Sequence, residues 1–206
     1  FMSWNIVMDS SCDLMVSKQS LKNAELKIAP LTIRVGEKEF VDDDTIDVPM
    51  LLDAMSKEKS ASSTACPPPH AFYEHFITAD NVICICITSN LSGTYNAAVQ
   101  AAEMVKEEYP EKNIHVINSY NTAGGMVLLA RKADQLIGEG VPFDEMCHIL
   151  DEYVNEVRLV FTLEKFDNLI KMGRMKPLVG KVVAALGIHL IAQASVEGTV
   201  ELMFKV

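Results

Sequence analysis

The sequence predicts an α/β protein: a Rossmann-like parallel sheet with helices on both faces over residues 1–157, followed over 158–206 by the beginning of a second α/β domain. Three observations carry this. The run Asn81-Val82-Ile83-Cys84-Ile85-Cys86-Ile87 is short, β-branched and apolar on both faces, as a strand between two helical layers must be. Directly after it comes a hydroxyl-rich turn, Thr88-Ser89-Asn90-Leu91-Ser92-Gly93-Thr94, and then a helical period in Ala97, Ala98, Ala101, Ala102 and Val105. The same order of strand, polar turn and helix recurs at Asn118-Ser119-Tyr120-Asn121-Thr122, and a first strand over 4–8 also ends in a polar turn, Asp9-Ser10-Ser11.

Composition narrows the class. With 206 residues and 49% hydrophobic content the chain can bury a sizeable core. A net charge of −10, without clustered Lys and Arg, argues against a nucleic-acid surface. No apolar run reaches the length of a membrane span and the N-terminus lacks the order of a signal peptide, so a cytoplasmic location is expected. Cys12, Cys66, Cys84, Cys86 and Cys147 lack the paired spacing of a zinc site, and Cys84 and Cys86 share one face of a buried strand, which predicts free core thiols and no metal.

In chain order, residues 26–35 read as a second strand with Pro30 marking an edge or a bulge, and 37–44 as an excursion anchored by Phe40, its Asp42-Asp43-Asp44 run solvated. Asp47 or Thr45 caps a helix over 49–57 with Pro49 early in it. Ser60 through Pro69 carries three consecutive prolines, which exclude helix and central strand and leave an extended loop. A helix over 70–79 follows with Phe72 and Phe76 on one face and with His70 and His75 at the surface. Ser92 or Asn90 is placed to cap the helix over 92–108. A strand over Asn113–Asn118, a helix from Ala123 that ends at Gly138 and Gly140, and a helix over 143–156 complete the first part. Then come a short strand over 158–161, helices over 163–171 and 179–186, and a hairpin of 188–194 with 200–206 turning at Glu197-Gly198. Ending on a strand, the chain reads as the front portion of a longer one.

The turn holding Ser92 is where chemistry is expected, since backbone N–H groups at the carboxyl end of a strand and the helix N-terminus both favour an anion. Plain capping is the ordinary alternative. Ser92-Gly93-Thr94 is neither a phosphate-binding glycine fingerprint nor Gly-x-Ser-x-Gly, and no His or Lys lies beside Ser92 in sequence as a nucleophilic serine would need.

The ordered set of Asp9-Ser10-Ser11, Thr64 through Phe72, Leu91-Ser92-Gly93-Thr94-Tyr95, Ile114 through Ser119 and Gly173-Arg174 resembles the DegV family of bacterial fatty-acid-binding proteins over essentially the whole chain. Departures exist. Family members usually carry Thr-Ser-Gln-Pro-Ser-Pro where Thr64-Ala65-Cys66-Pro67-Pro68-Pro69 stands, so Thr64, Pro67 and Pro69 carry over; they usually have Asp at Asn118 and Gly-Gly-Arg at Met172-Gly173-Arg174. The ligand-facing histidine of the family lies in a later stretch, and His189 does not take its role.

The resemblance implies a long-chain fatty acid with its tail in an apolar tunnel between two domains and its carboxylate at Thr64 and Ser92. Gly93 and Thr94 would add N–H donors, and Ser119 and Ser10 are further candidates. It implies a carrier with neither a catalytic centre nor a cofactor of its own, serving phospholipid synthesis by presenting the lipid to a fatty acid kinase, with Arg174 touching that partner. Two other readings stay open: a serine-dependent acyl transferase or hydrolase using Ser92, and a phosphate- or nucleotide-binding module.

Overall fold

In the computed structural model, residues 2–14, 21–163, 167–174 and 190–205 are described. A parallel sheet at the centre has the strand order β2-β1-β6-β7, built from β1 (Trp4–Asp9), β2 (Glu25–Ala29), β6 (Asn81–Cys86) and β7 (Asn113–Asn118). Its register pairs Val7 with Cys84 and Cys84 with Val116.

The period of two along β6 divides the core. Ile83 and Ile85 point to one face, with Ile6, Met8, Ile117 and the helices α4 (Ala123–Gly138) and α5 (Phe143–Tyr153), which contribute Met126, Leu129, Met146 and Leu150. Val82, Cys84 and Cys86 point to the other face, against Phe72 and Phe76 of α2 (Pro69–Phe76) and Ala97, Ala98, Ala101 and Val105 of α3 (Thr94–Glu108). Small alanines let α3 lie close to the strands, while two fully buried phenylalanines fill the space beside them, each stabilising by about 1.5–3 kcal/mol. The expected parallel sheet with helices on both faces is therefore present.

Several local expectations need correction. Residues 26–35 form two strands in different sheets, because Pro30 separates β2 from β3 (Thr32–Val35) and cannot donate to a ladder. β3 pairs antiparallel with β4 (Lys38–Val41) and with β5 (Ser63–Ala65), so the start of the proline loop is an edge strand and not only a loop. Phe40 packs with Val35, Leu51 and Ala54 under α1 (Val48–Lys57), whose first turn is capped by Asp47 accepting from the Met50 amide at 2.9 Å. α3 begins at Thr94 with Gly93 at its N-cap, so neither Ser92 nor Asn90 stands at the cap position, although Ser92 Oγ accepts from the Thr94 amide at 3.4 Å.

A third sheet, antiparallel in the order β10-β9-β8, follows: β8 (Val160–Leu163), β9 (Leu190–Ala194) and β10 (Val200–Lys205). α6 (Asp167–Lys171) lies between β8 and β9 in the chain. The hairpin turn falls where expected, with Gly198 at φ +75°. The helix expected over 179–186 and His189 lie outside the described residues.

Candidate ligand-binding site

The site begins with how the segment after β6 is held. Asp9, at the carboxyl end of β1, accepts from the Ile87 amide at 2.7 Å and from the Ser11 amide at 3.0 Å and hydroxyl at 2.5 Å. It is fully buried, and burial pushes its carboxyl up from the ordinary carboxylate range even against those three hydrogen bonds. The Thr88 amide donates to the Asn121 carbonyl at 2.9 Å. Asn118 Oδ1 accepts from the Ser89 amide at 3.1 Å, while its Nδ2 donates to Ser89 Oγ at 2.7 Å. The turns after β1, β6 and β7 are thus tied together, and the chain reaches Ser92 from a fixed base.

Ser92 is half-buried, and its Oγ lies 2.8 Å from the Oγ1 of buried Thr94. Two hydroxyls therefore stand together at the open first turn of a fifteen-residue helix that has no side-chain cap. That end carries partial positive charge and N–H groups without intrahelical partners. The neighbouring Gly93 is exposed, and a Cβ built there would lie 3.5 Å from the Sγ of Cys66, so the turn sits against the segment that follows β5.

Thr64 belongs to that neighbouring segment. It sits on β5 opposite Ile33, is exposed, and its Oγ1 accepts from Arg174 Nη2 at 3.3 Å. Local chain geometry delivers the arginine: the Gly173 amide donates to the Ile170 carbonyl at 3.0 Å and the Arg174 amide to the Leu169 carbonyl at 2.8 Å, a Schellman closure of α6 with Gly173 at φ +71°. A side chain other than glycine is strained there, which gives the Gly-Arg pair a backbone reason. The structure so brings Thr64, Cys66, Ser92, Gly93, Thr94 and Arg174 into one neighbourhood, drawn from three separate parts of the chain.

Ser10 and Ser119 are placed differently. Ser10 Oγ donates to Asp42 Oδ2 at 2.7 Å and accepts from the Leu31 amide at 3.0 Å, which pins the strand beyond Pro30 to the parallel sheet. Ser119 is fully buried, donating to the Asn121 carbonyl at 3.0 Å and accepting from the Asn121 amide at 3.1 Å. Both hydroxyls are engaged within the fold. Sequence reasoning also missed the ties made by Asp9 and Asn118; a polar residue at each strand end was the available signal.

Beside this neighbourhood, Leu91, Leu159, Phe161, Ala194 and Val200 line an apolar cavity of about 30 Å³ between the parallel sheet and the hairpin. It is about a tenth of the smallest typical ligand pocket and too small to enclose a long acyl tail. Among the described residues no cluster of His, Cys, Asp and Glu could hold a metal ion, and no helix is long and apolar enough to cross a membrane. All five cysteines are free, Cys66 being exposed.

Comparison with known proteins shows which family the chain belongs to. A DegV domain-containing protein of Streptococcus pyogenes serotype M3 is 40% identical over 204 residues, 99% of this chain and 73% of the relative. The crystal structure of the Streptococcus pneumoniae Fatty Acid Kinase (Fak) B3 protein loaded with linoleic acid superposes with a TM-score of 0.94 at 37% identity, covering 100% of this chain and 73% of that one. A DegV family protein from Eubacterium eligens loaded with heptadecanoic acid gives 0.92 at 35% identity over 98% of this chain and 72% of its own. The family described as "Uncharacterised protein, DegV family" matches residues 3–206, and the chain belongs to that family.

Proposed function

We propose that this protein binds a long-chain fatty acid and presents its carboxyl group to a separate ATP-dependent kinase, without chemistry of its own. The observation that carries the reading is the convergence of the segment that leaves β5 just after Thr64 and the Ser92–Thr94 turn, seen in the approach of Cys66 to Gly93. The Thr64 and Ser92 hydroxyls and the Gly93 N–H, joined by the Thr94 N–H once it gives up its long 3.4 Å bond to Ser92 Oγ, would make a donor set for one carboxylate at a positive helix end. The fatty acids bound by similar structures support the ligand class.

Arg174 adds a cation beside Thr64. A guanidinium there suits a carboxylate that is to receive a phosphoryl group, because it can pair with carboxylate and phosphate oxygens alike. The contact with Thr64 supports a second role for Arg174 beside the head group, in addition to the kinase-facing one that the family resemblance implies. Against a serine hydrolase stands the pairing of Ser92 Oγ with another hydroxyl, Thr94 Oγ1, in place of a base.

Mass spectrometry of lipid extracted from the purified protein, with oleate titration of Thr64→Ala and Ser92→Ala, tests the reading. Bound fatty acid and weakened titration are expected. Covalent labelling of Ser92 by a fluorophosphonate would replace the carrier reading with the acyl-transfer one. Thermal stabilisation by ATP and none by oleate would replace it with nucleotide binding.

A further inference from the structure

One hairpin tip joins the last sheet to the segment that carries Ser92. The turn between β9 and β10 is closed by the Ser195 amide donating to the Thr199 carbonyl at 2.8 Å, the Gly198 amide donating to the Ser195 carbonyl at 2.9 Å, and a 2.8 Å contact between the two hydroxyls of Ser195 and Thr199. A turn so tied moves as a unit. Gly198 at its apex is buried against Thr88 and Tyr120: a Cβ there would lie 2.8 Å from Thr88 Cβ and 2.9 Å from Tyr120 Cα, inside van der Waals contact, besides meeting Thr88 Oγ1. Only glycine lets the tip seat, both for this clearance and for its φ of +75°.

A directional contact accompanies the steric one. Asn90 Nδ2 donates to the Glu197 carbonyl. Thr88 and Asn90 lie four and two residues before Ser92, and the Leu91 amide between them donates back to the Thr88 carbonyl at 3.0 Å. The tip therefore grips the turn that presents Ser92, and it roofs the apolar cavity lined by Leu91, Phe161, Ala194 and Val200.

We propose that the 195–199 tip is a clasp on the 88–91 segment, with Gly198 and Asn90 as positioning residues that hold the Ser92 turn and so restrain escape of a ligand bound there. The restraint on ligand rests on the fatty-acid reading above. The clasp itself rests on the contacts of Thr88, Asn90, Glu197 and Gly198 alone.

The test uses three variants of the full-length protein. Gly198→Ala breaks the seat, and Asn90→Asp keeps the shape of the side chain but removes its donor. Gly140→Ala is the control, because Gly140 also has a positive φ, +72°, yet nothing lies within 4 Å of a Cβ there. Release of a bound fluorescent polyene fatty acid into excess oleate should quicken roughly three- to tenfold in Asn90→Asp and on the order of tenfold or more in Gly198→Ala. Gly140→Ala should match the wild type in release even if it melts earlier. Hydrogen exchange without lipid should show lost protection at 88–91 and 195–199 in the first two variants only. Unchanged protection there overturns the clasp, and lost protection with unchanged release overturns its control of the ligand. If the wild type binds no fatty acid, the functional reading fails while hydrogen exchange still decides the clasp. Should Gly198→Ala not fold, the exposed Asn90→Asp decides both points.

Discussion

Arg174 donates from Nη2 to the hydroxyl of Thr64 at 3.3 Å, across 110 positions of sequence. The residue expected to face only a partner protein therefore touches the residue expected to hold the ligand carboxylate. Arg174→Ala should weaken oleate binding several-fold through loss of a charge-assisted hydrogen bond. On the proposed function, acyl-phosphate formation by a partner kinase, measured with ATP and labelled oleate, should fall far more. Unchanged oleate affinity would confine the guanidinium to the partner.

Ser92→Ala should weaken oleate binding by about 1.5–3 kcal/mol, on the order of tenfold or more, as expected for a hydrogen bond to a charged acceptor. Ser10→Ala and Ser119→Ala should instead leave affinity unchanged and lower the melting temperature, because they unpair the Leu31 and Asn121 amides. Titration calorimetry beside thermal unfolding separates the two kinds of serine. A lipid-binding defect in Ser119→Ala with normal stability would put Ser119 back in the site.

Thiol chemistry should single out Cys66. Burial pushes the Cys12 thiol up to about 11 and the Cys147 thiol up to about 12, while Cys86 is raised well above its ordinary value by its hydrogen bond with Cys84 and by burial. At pH 8 the folded protein should therefore react at one cysteine fast with an aromatic disulfide reagent and at the others on unfolding. Oleate should slow the fast reaction, since Cys66 lies against the Gly93 turn. Stability should decline as pH rises from about 9 towards 11, where unfolded thiols ionise while folded Cys12 keeps its proton.

Asp9→Ala leaves the Ile87 amide without its acceptor and should cost about 1–3 kcal/mol for that group alone. Because burial raises the Asp9 carboxyl in the folded protein, the native state holds this proton more tightly than the unfolded chain. The advantage of the wild type over Asp9→Ala is then largest at acidic pH and shrinks as pH rises past the ordinary carboxylate value of 3.8. Urea unfolding of both proteins at pH 4 and pH 7 measures the difference. A wider gap at pH 7 would show that the hydrogen bonds outweigh burial.

What the sequence determined by itself is what neighbours in the chain decide. The strands Asn81–Cys86 and Asn113–Asn118, the helix ending at Gly138 and the turn at Glu197-Gly198 follow from a period of two, a period near 3.6 and the φ freedom of glycine, all local properties. Thr64, Ser92, Gly93 and Thr94 as candidates for the carboxylate, and Arg174 as a candidate partner contact, came from the ordered resemblance to a family. Only the tertiary structure decided which partners each polar group takes. It divided residues 26–35 between two sheets at Pro30, turned 63–65 into an edge strand, paired the Ser92 hydroxyl with that of Thr94, and seated Gly198 on Thr88. The reason is physical: these outcomes depend on which distant groups compete for the same donor, acceptor or space. That competition exists only once α6, β5 and the turn after β6 are packed together.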